Sequence, residues 1–395
     1  MKFYQFFGYS SVLSCLLWAD VSQARIKLIT LPVRDQVTIQ LSHPGATLVQ
    51  EERTVPLTQG LNQVDFSWKN TEVDPNSLIF QILASPAAAD VKVLSISYPP
   101  NENALVWQVS AKQAASAKVR ISYLLGGLSK TFAYHATANQ AETELTLKQY
   151  VYLKNQANEA FESSQIYLGQ GQNFNHSLGL NETKKLLVRS DNAVPIKKTY
   201  TADVFNFNYS DAAQKKLNIP MHYVLQNNTE NHLGQTTLPY GKARIFQQDG
   251  KGGYSFVGED WAQLTPRDEE LKLFLGTARD IVVKRTIETN ERQQVAGNLY
   301  QYHIVVKYEV ENFKDRAVQL DVIEYADELR NEVQNNNGRA VVWTLNKATD
   351  FPNGLDTELS DFNKLVLHAP LPARQANGQA QKQVFHLALD MRHEW

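Results

Sequence analysis

From residue 25 onward, apolar and polar positions alternate with a period of two through most of the chain. Val37, Ile39 and Leu41 are separated by polar neighbours, as are Val64, Phe66 and Trp68, while Leu105, Trp107 and Val109 share one face and Val119, Ile121 and Tyr123 another. Short runs with this period predict strands that each bury one face. The breaks between them, SHPG (42–45), TQGLN (58–62), YPPNEN (98–103) and LGGL (125–128), carry the residues that turns need.

A second block, ELTLKQYVYLKNQ (144–156), places Leu145, Leu147, Val151 and Leu153 on one face and Tyr150 and Tyr152 on the other. GQGQNFNHSLGLNETKK (169–185) is polar and glycine-bearing, which predicts an exposed loop near a domain boundary. A third block opens at KKTYTADVFNFNYS (197–210), where Phe205, Phe207 and Tyr209 share a strand face and the two phenylalanines are expected in the core. The clearest strand is NLYQYHIVVKYEVEN (298–312), with Tyr300, Tyr302, Ile304, Val306, Tyr308 and Val310 aligned. Only SDAAQKKLN (210–218) predicts a brief helix. The closing QVFHLALDMRHEW alternates up to Trp395, which suits a last sandwich strand and also the closing strand of an outer-membrane β-barrel, although His393 interrupts the apolar face.

Length and composition turn this pattern into a fold class. A chain of 395 residues exceeds the ~250–300 at which single cores stop growing. Hydrophobic content of 43% with 20% charged residues is globular, and 17 Tyr with 17 Phe lean toward sheet. The expected fold is all-β, in two or three antiparallel β-sandwich domains divided as 25–100, 101–196 and 197–395. Lys plus Arg (39) nearly balance Asp plus Glu (41), and cations gather only in pairs such as Lys184-Lys185, Lys197-Lys198 and Lys215-Lys216. That leaves no basic stripe for a phosphate backbone, so nucleic acid is not an expected partner.

The N-terminus reads as a secretory signal peptide over 1–24: Lys2, an apolar stretch from Phe6 to Trp18, then Ser22-Gln23-Ala24 before the cut. The apolar stretch falls short of the ~20 residues that span a bilayer. A lipoprotein cut just before Cys15 is the second reading, with Ser14 small enough and Leu13 bulky for it. Cleavage after Ala24 removes the only cysteine and with it disulfide or thiol chemistry. The expected destination is the periplasm or the exterior, with no membrane span in the mature chain.

LPYGKARIFQQDGKGGYSFVGEDWAQLTPRDEELKLFLGTARDI (238–281) contains Leu238-Pro239 with Gly241 and Arg244, then Gly258-Glu259-Asp260, Thr265-Pro266, and Gly276 followed by Asp280. This stretch resembles a bacterial secreted family with a C-terminal domain of unknown function, shared with mucoidy-inhibitor-like proteins. YEVENFKDRAVQLDVIE (308–324) resembles that family's next strand pair, in an immunoglobulin-like module, and weaker similarity extends over much of the mature chain. The long helical insertion of mucoidy-inhibitor-like relatives has no counterpart here. The resemblance implies export and a β-rich fold with an immunoglobulin-like last domain, and it implies no known reaction.

GEDWAQLTPRDEELKLFLG (258–276) holds five carboxylates: Glu259, Asp260, Asp268, Glu269 and Glu270. On a strand, neighbours point to opposite faces, so Glu259 and Asp260 diverge, as do Asp268 and Glu269. Two such charges held at ~4 Å repel by ~4 kcal/mol at an effective dielectric of about 20. The expected structure is therefore a hairpin closed at QDGKGG, a turn at Pro266, and a strand seated by Leu271, Leu273 and Leu275, with acids on the rim. A metal-binding alternative rests on acid density alone, without the ligand spacing of a calcium loop.

LGQGQNF (168–174) lacks the third glycine and the helix of a dinucleotide site. The nine histidines match no zinc spacing, and no Gly-x-Ser-x-Gly occurs. No cofactor, metal or catalytic residue is assigned. Tyr150 and Tyr152, opposite the apolar face of their strand, are the candidate binding residues, suited to stacking on a sugar ring or anchoring a protein. The expected function is an exported cell-envelope binding or structural module whose partner is an envelope protein or glycan. An envelope polysaccharide or peptide hydrolase, with acids from separate strands, is the alternative.

Overall fold

Nearly every alternating segment forms a strand in the computed structural model, which describes residues 27–169, 173–334 and 341–394, without the side chains of 393 and 394. The leader expected over 1–24, its alternative at Cys15, residues 170–172 of the Gly-x-Gly stretch, Trp395 and the His393 side chain lie outside the described residues. The chain divides into two compact units, 1–129 with 154–182, and 130–153 with 183–395. Neither unit is continuous in sequence. The expected division at 100/101 falls in a hairpin turn inside the first unit, between Lys92–Ser97 and its antiparallel partner Ala104–Ala111.

The first unit is a sandwich of two sheets. One has the strand order Lys27–Thr30, Gly60–Ser67, Ala104–Ala111, Lys92–Ser97; the other runs Asn173–Leu178, Phe161–Tyr167, Gln36–His43, Ala46–Leu57, Ala115–Leu125, Ile79–Ala84. Rings join the layers. Phe66 and Trp107 of the first sheet lie 5.6 Å from Tyr123 and 4.7 Å from Phe80 of the second, respectively. Inside this core Glu51, fully buried, accepts from Tyr123 Oη (2.6 Å) and pairs with Arg34 (2.7 Å) and Arg53 (2.6 Å), so its charge is offset on every side.

The second unit has three sheets. Sheet three runs Thr183–Pro195, Glu144–Asn155, Leu128–Ala138, Gly241–Gln248, Tyr254–Ala262. Sheet four runs Glu270–Thr277, Pro220–Gln226, Lys197–Asp203, Val318–Tyr325, Lys364–Leu371. Sheet five runs Tyr209–Asp211, Lys216–Leu217, Ile281–Ala296, Leu299–Asn312, Gln381–Glu394, Val342–Leu345. One face of sheet four serves two cores: Tyr223, Leu225, Leu271 and Leu273 pack with Tyr134, Leu145, Leu147 and Ile245 of sheet three, whereas Tyr200, Leu320, Val322 and Leu367 pack with Val283, Ile304, Val306 and Leu387 of sheet five. Met221 borders both. The leucines of the acid-rich stretch are buried as expected, each contributing roughly 1.5–3 kcal/mol.

The all-β class is borne out, and most ladders are antiparallel. Among the described residues, parallel ladders set Ile29 opposite Val64, Ile166 opposite Ile39, Ile245 opposite Ala136, and Tyr200 opposite Leu320. Each joins strands with no tight turn between them, so no local signal announces it. Among the described residues all five sheets are open and end in edge strands, and the closing Gln381–Glu394 is an interior strand of sheet five, which does not support the barrel expectation. Among the described residues no helix is long and apolar enough to cross a membrane.

Three local expectations change. Most of 169–185 is not loop: Asn173–Leu178 pairs with Phe161–Tyr167, and Thr183 begins the next strand. The stretch 210–218 is not helical but a small hairpin, Tyr209–Asp211 against Lys216–Leu217. A helical turn forms earlier, at Val204–Phe207, where Asp203 Oδ1 accepts from Asn206 N (3.0 Å). That turn lifts Phe205 and Phe207 out of strand register, so they are exposed and not in the core. The second helix is Ala326–Gln334.

On the outer face of sheet four, His368 sits between two carboxylates, Nδ1 at 2.8 Å from Asp321 and Nε2 at 2.8 Å from Asp356. Burial opposes its charge, but the two aspartates outweigh burial and raise its pKa above the ordinary value. A raised folded-state pKa stabilises the fold fully below ~6.5, the unfolded value, and is lost as pH rises through the folded one. Denaturant midpoints of the wild type are expected to fall relative to His368→Asn between pH 6 and 9; parallel curves would refute this.

Candidate functional site

The outer face of sheet three carries the exposed aromatic and cationic side chains that the core leaves over. Leu145, Leu147, Val151 and Leu153 are buried, which turns Lys148, Tyr150 and Tyr152 to the other side. Across the adjoining strands, Tyr150 lies 5.2 Å from the His135 ring, His135 lies 5.9 Å from Phe246, and Phe246 lies 5.7 Å from Phe256. Lys185, on the strand beyond Tyr150, places Nζ 4.0 Å from the Tyr150 ring centre and 5.6 Å from that of Tyr152. The row Lys185, Tyr150, His135, Phe246, Phe256 thus takes one residue from each of the five strands.

A bulge makes the row wider than period two allows. Opposite Ile245 and Phe246 stand Gly258 and Phe256, so Val257 is extra and the side-chain parity of the edge strand reverses. Phe256 and Trp261, five apart, therefore point the same way, along with Glu259 opposite Arg244. Trp261 is 50% exposed and stacks on Tyr240 at 5.3 Å with an interplanar angle of 4°, while Phe256 is 61% exposed. Rings of that size left in water without a covering element mark an interaction surface.

Cations outnumber acids here. Lys242 Nζ lies 2.6 Å from Glu259 Oε1 and 5.9 Å from the Trp261 ring centre, and Arg244 Nε lies 3.6 Å from Glu259 Oε2. Lys148 and Lys185 add two further positive charges, and the acids on the same side are Glu259 and Glu144. Burial, and then Lys185, Arg244 and Lys148, lower the pKa of His135, which disfavours a further positive charge within the row.

The structure brings together Tyr150, Tyr152, Arg244 and Glu259 and disperses the other residues singled out in the sequence. A Cβ on Gly241 would meet Phe132 O at 2.5 Å, so this glycine lets the parallel strands meet, and one on Gly258 would stand 3.0 Å from Leu275 O. Asp260 points inward, its Oδ2 accepting from Phe274 N (2.8 Å) and its Oδ1 from Trp261 N (2.7 Å), which ties the edge of sheet three to sheet four. Thr265 is buried and bridges Leu238, while Asn227 Nδ2 donates to Thr265 O (3.1 Å) and Pro266 O (2.9 Å), closing the turn. Gly276 has φ 120° beside the bulge at Met221/His222, and Asp280 pairs with Lys314.

The five acids of the quoted stretch part company. Glu259 joins the cationic face, Asp260 clamps two strands, Asp268 sits in a turn at φ 66°, Glu269 is exposed, and Glu270 lies 3.5 Å from Lys272. His135, Lys185, Tyr240, Phe246, Phe256 and Trp261 were not singled out in the sequence. Only the alternation around Tyr254, Phe256 and Phe246 hints at them, and the bulge hides Trp261. A scan of the chain against protein-family models finds no match, and a search of curated proteins finds none.

Proposed function

We propose that the protein is an exported, immunoglobulin-like cell-envelope binding module that holds an acidic glycan across the outer face of sheet three. The row of rings from Tyr150 to Phe256 carries this reading. Flat aromatic faces stack on the apolar faces of sugar rings, and rings on four adjacent strands about 4.8 Å apart span about 14 Å, the scale of a short oligosaccharide. The excess of Lys148, Lys185, Lys242 and Arg244 over Glu144 and Glu259 favours a chain bearing carboxylates or sulfates. Export is supported by the pattern of Lys2, Phe6 to Trp18 and Ala24.

Tyr150→Ala with Trp261→Ala is expected to weaken binding to purified acidic envelope polysaccharide at least tenfold in calorimetric titration, with the melting temperature preserved because both side chains are partly or largely exposed. Equal affinity in the double variant and the wild type rejects the glycan, and capture of an envelope protein that survives salt and competing glycan would replace it.

The hydrolase alternative is to be sought first in a cavity of about 240 Å³ in the first unit lined by Arg34, Arg53, Asp65, Trp68 and Glu159. Burial, and then Glu102, raise the pKa of Asp65 there, as a proton donor requires. Asp65→Asn would abolish such an activity.

A further inference from the structure

A second recess, away from the aromatic row and independent of the glycan reading, lies in the second unit. It has a volume of about 390 Å³ and is bounded by the helical turn Val204–Phe207, the helix Ala326–Gln334 and the buried Arg285–Glu324 pair. That size is within the ~300–1,000 Å³ range of small-molecule sites.

Its chemistry is that of an acceptor. Glu324, Glu328 and Glu332 line it against one cation, Arg285. That cation is already committed, its Nε and Nη2 to Glu324 and its Nη1 to Glu332 at 2.9 Å. The lining also includes Asn331, whose Oδ1 is buried and has no hydrogen-bond partner. A buried carbonyl oxygen left so is a cost unless a donor arrives. Phe205 and Tyr325 line the mouth with ring centres 5.3 Å apart and planes at 57°, an aromatic corner. Phe205 is 52% exposed, although nothing in the helical turn requires a phenylalanine in water. Ring faces attract a cation and carboxylates repel an anion, so one ligand class satisfies every wall.

We propose that this cleft binds a small organic cation, a guanidinium or alkylammonium compound, with its charged head between the aromatic corner and the Glu328 and Glu332 carboxylates. Agmatine and n-butylamine separate the two head groups, and butyrate is the anionic control. Calorimetric titration of the full chain is expected to show saturable one-to-one binding of agmatine or n-butylamine and none of butyrate. Phe205→Ala and Glu328→Gln should each weaken that binding at least fivefold, with unchanged melting temperature because neither side chain is fully buried. Tyr150→Ala with Trp261→Ala should leave it unaltered, which separates this site from the glycan face. The absence of saturable heat with both cations, equal binding of butyrate, or unchanged affinity in both cleft variants would overturn the proposal.

Discussion

Replacing Arg285 with methionine is expected to destabilise the second unit by about 3–5 kcal/mol, a fall in its melting temperature of roughly 10 °C. Arg285, Glu324 and Tyr308 are all almost fully buried. The guanidinium holds both oxygens of Glu324, and Tyr308 Oη donates to the same carboxylate. Glu324 and then Tyr308 counter the burial that would discharge Arg285, so its pKa is raised and the group is cationic at every accessible pH. Removing it leaves a carboxylate in a core with one hydroxyl for company. Arg285→Met combined with Glu324→Leu should recover most of the loss, because the expense lies in the orphaned charge and not in the missing attraction. Thermal melting of the three chains checks this. A single variant as stable as the wild type would show that the pair is not buried as described.

How far the fold could be read from the residues depends on which forces act locally. Strands were legible because one buried face imposes period two: Leu299–Asn312 buries Ile304, Val306, Tyr308 and Val310, and Glu144–Asn155 turns Tyr150 and Tyr152 outward. The helix Ala326–Gln334 was not legible. It is nine residues long and seats Ala326, Leu329 and Val333, a spacing too brief to stand out beside strands. Phe205 misled because a cap two residues before it, Asp203, outweighs the strand-like alternation that follows. The same limit governs the candidate face. Tyr150 and Tyr152 follow from parity on one strand, but their neighbours His135, Phe246 and Phe256 come from strands whose order includes a parallel pair, Gly241–Gln248 beside Leu128–Ala138. Trp261 joins only because one extra residue reverses parity at the edge. Pairing partners and bulges are settled by tertiary packing, and no window of a single strand contains them.

The same unit is expected to become acid-labile through Glu142, which is 8% exposed. Its oxygens take Lys198 Nζ at 2.5 Å, Tyr223 Oη at 2.6 Å and the guanidinium of Arg316. Burial alone would raise its pKa, but those three donors outweigh burial and hold it at about 2, below the ordinary 4.5. A carboxylate depressed on folding stabilises the fold in full above 4.5, and that contribution disappears as pH falls toward 2. At about 1.4 kcal/mol per pH unit the contribution is roughly 3 kcal/mol. Glu142→Gln should therefore lower the stability of the second unit by a comparable amount at pH 7 and by little at pH 2. Denaturant titrations of both chains at intervals between those limits give the difference directly. A gap between them that stayed constant across the range would mean that Glu142 carries no linked proton, and that its three partners hold it no more tightly in the folded chain than water does in the unfolded one.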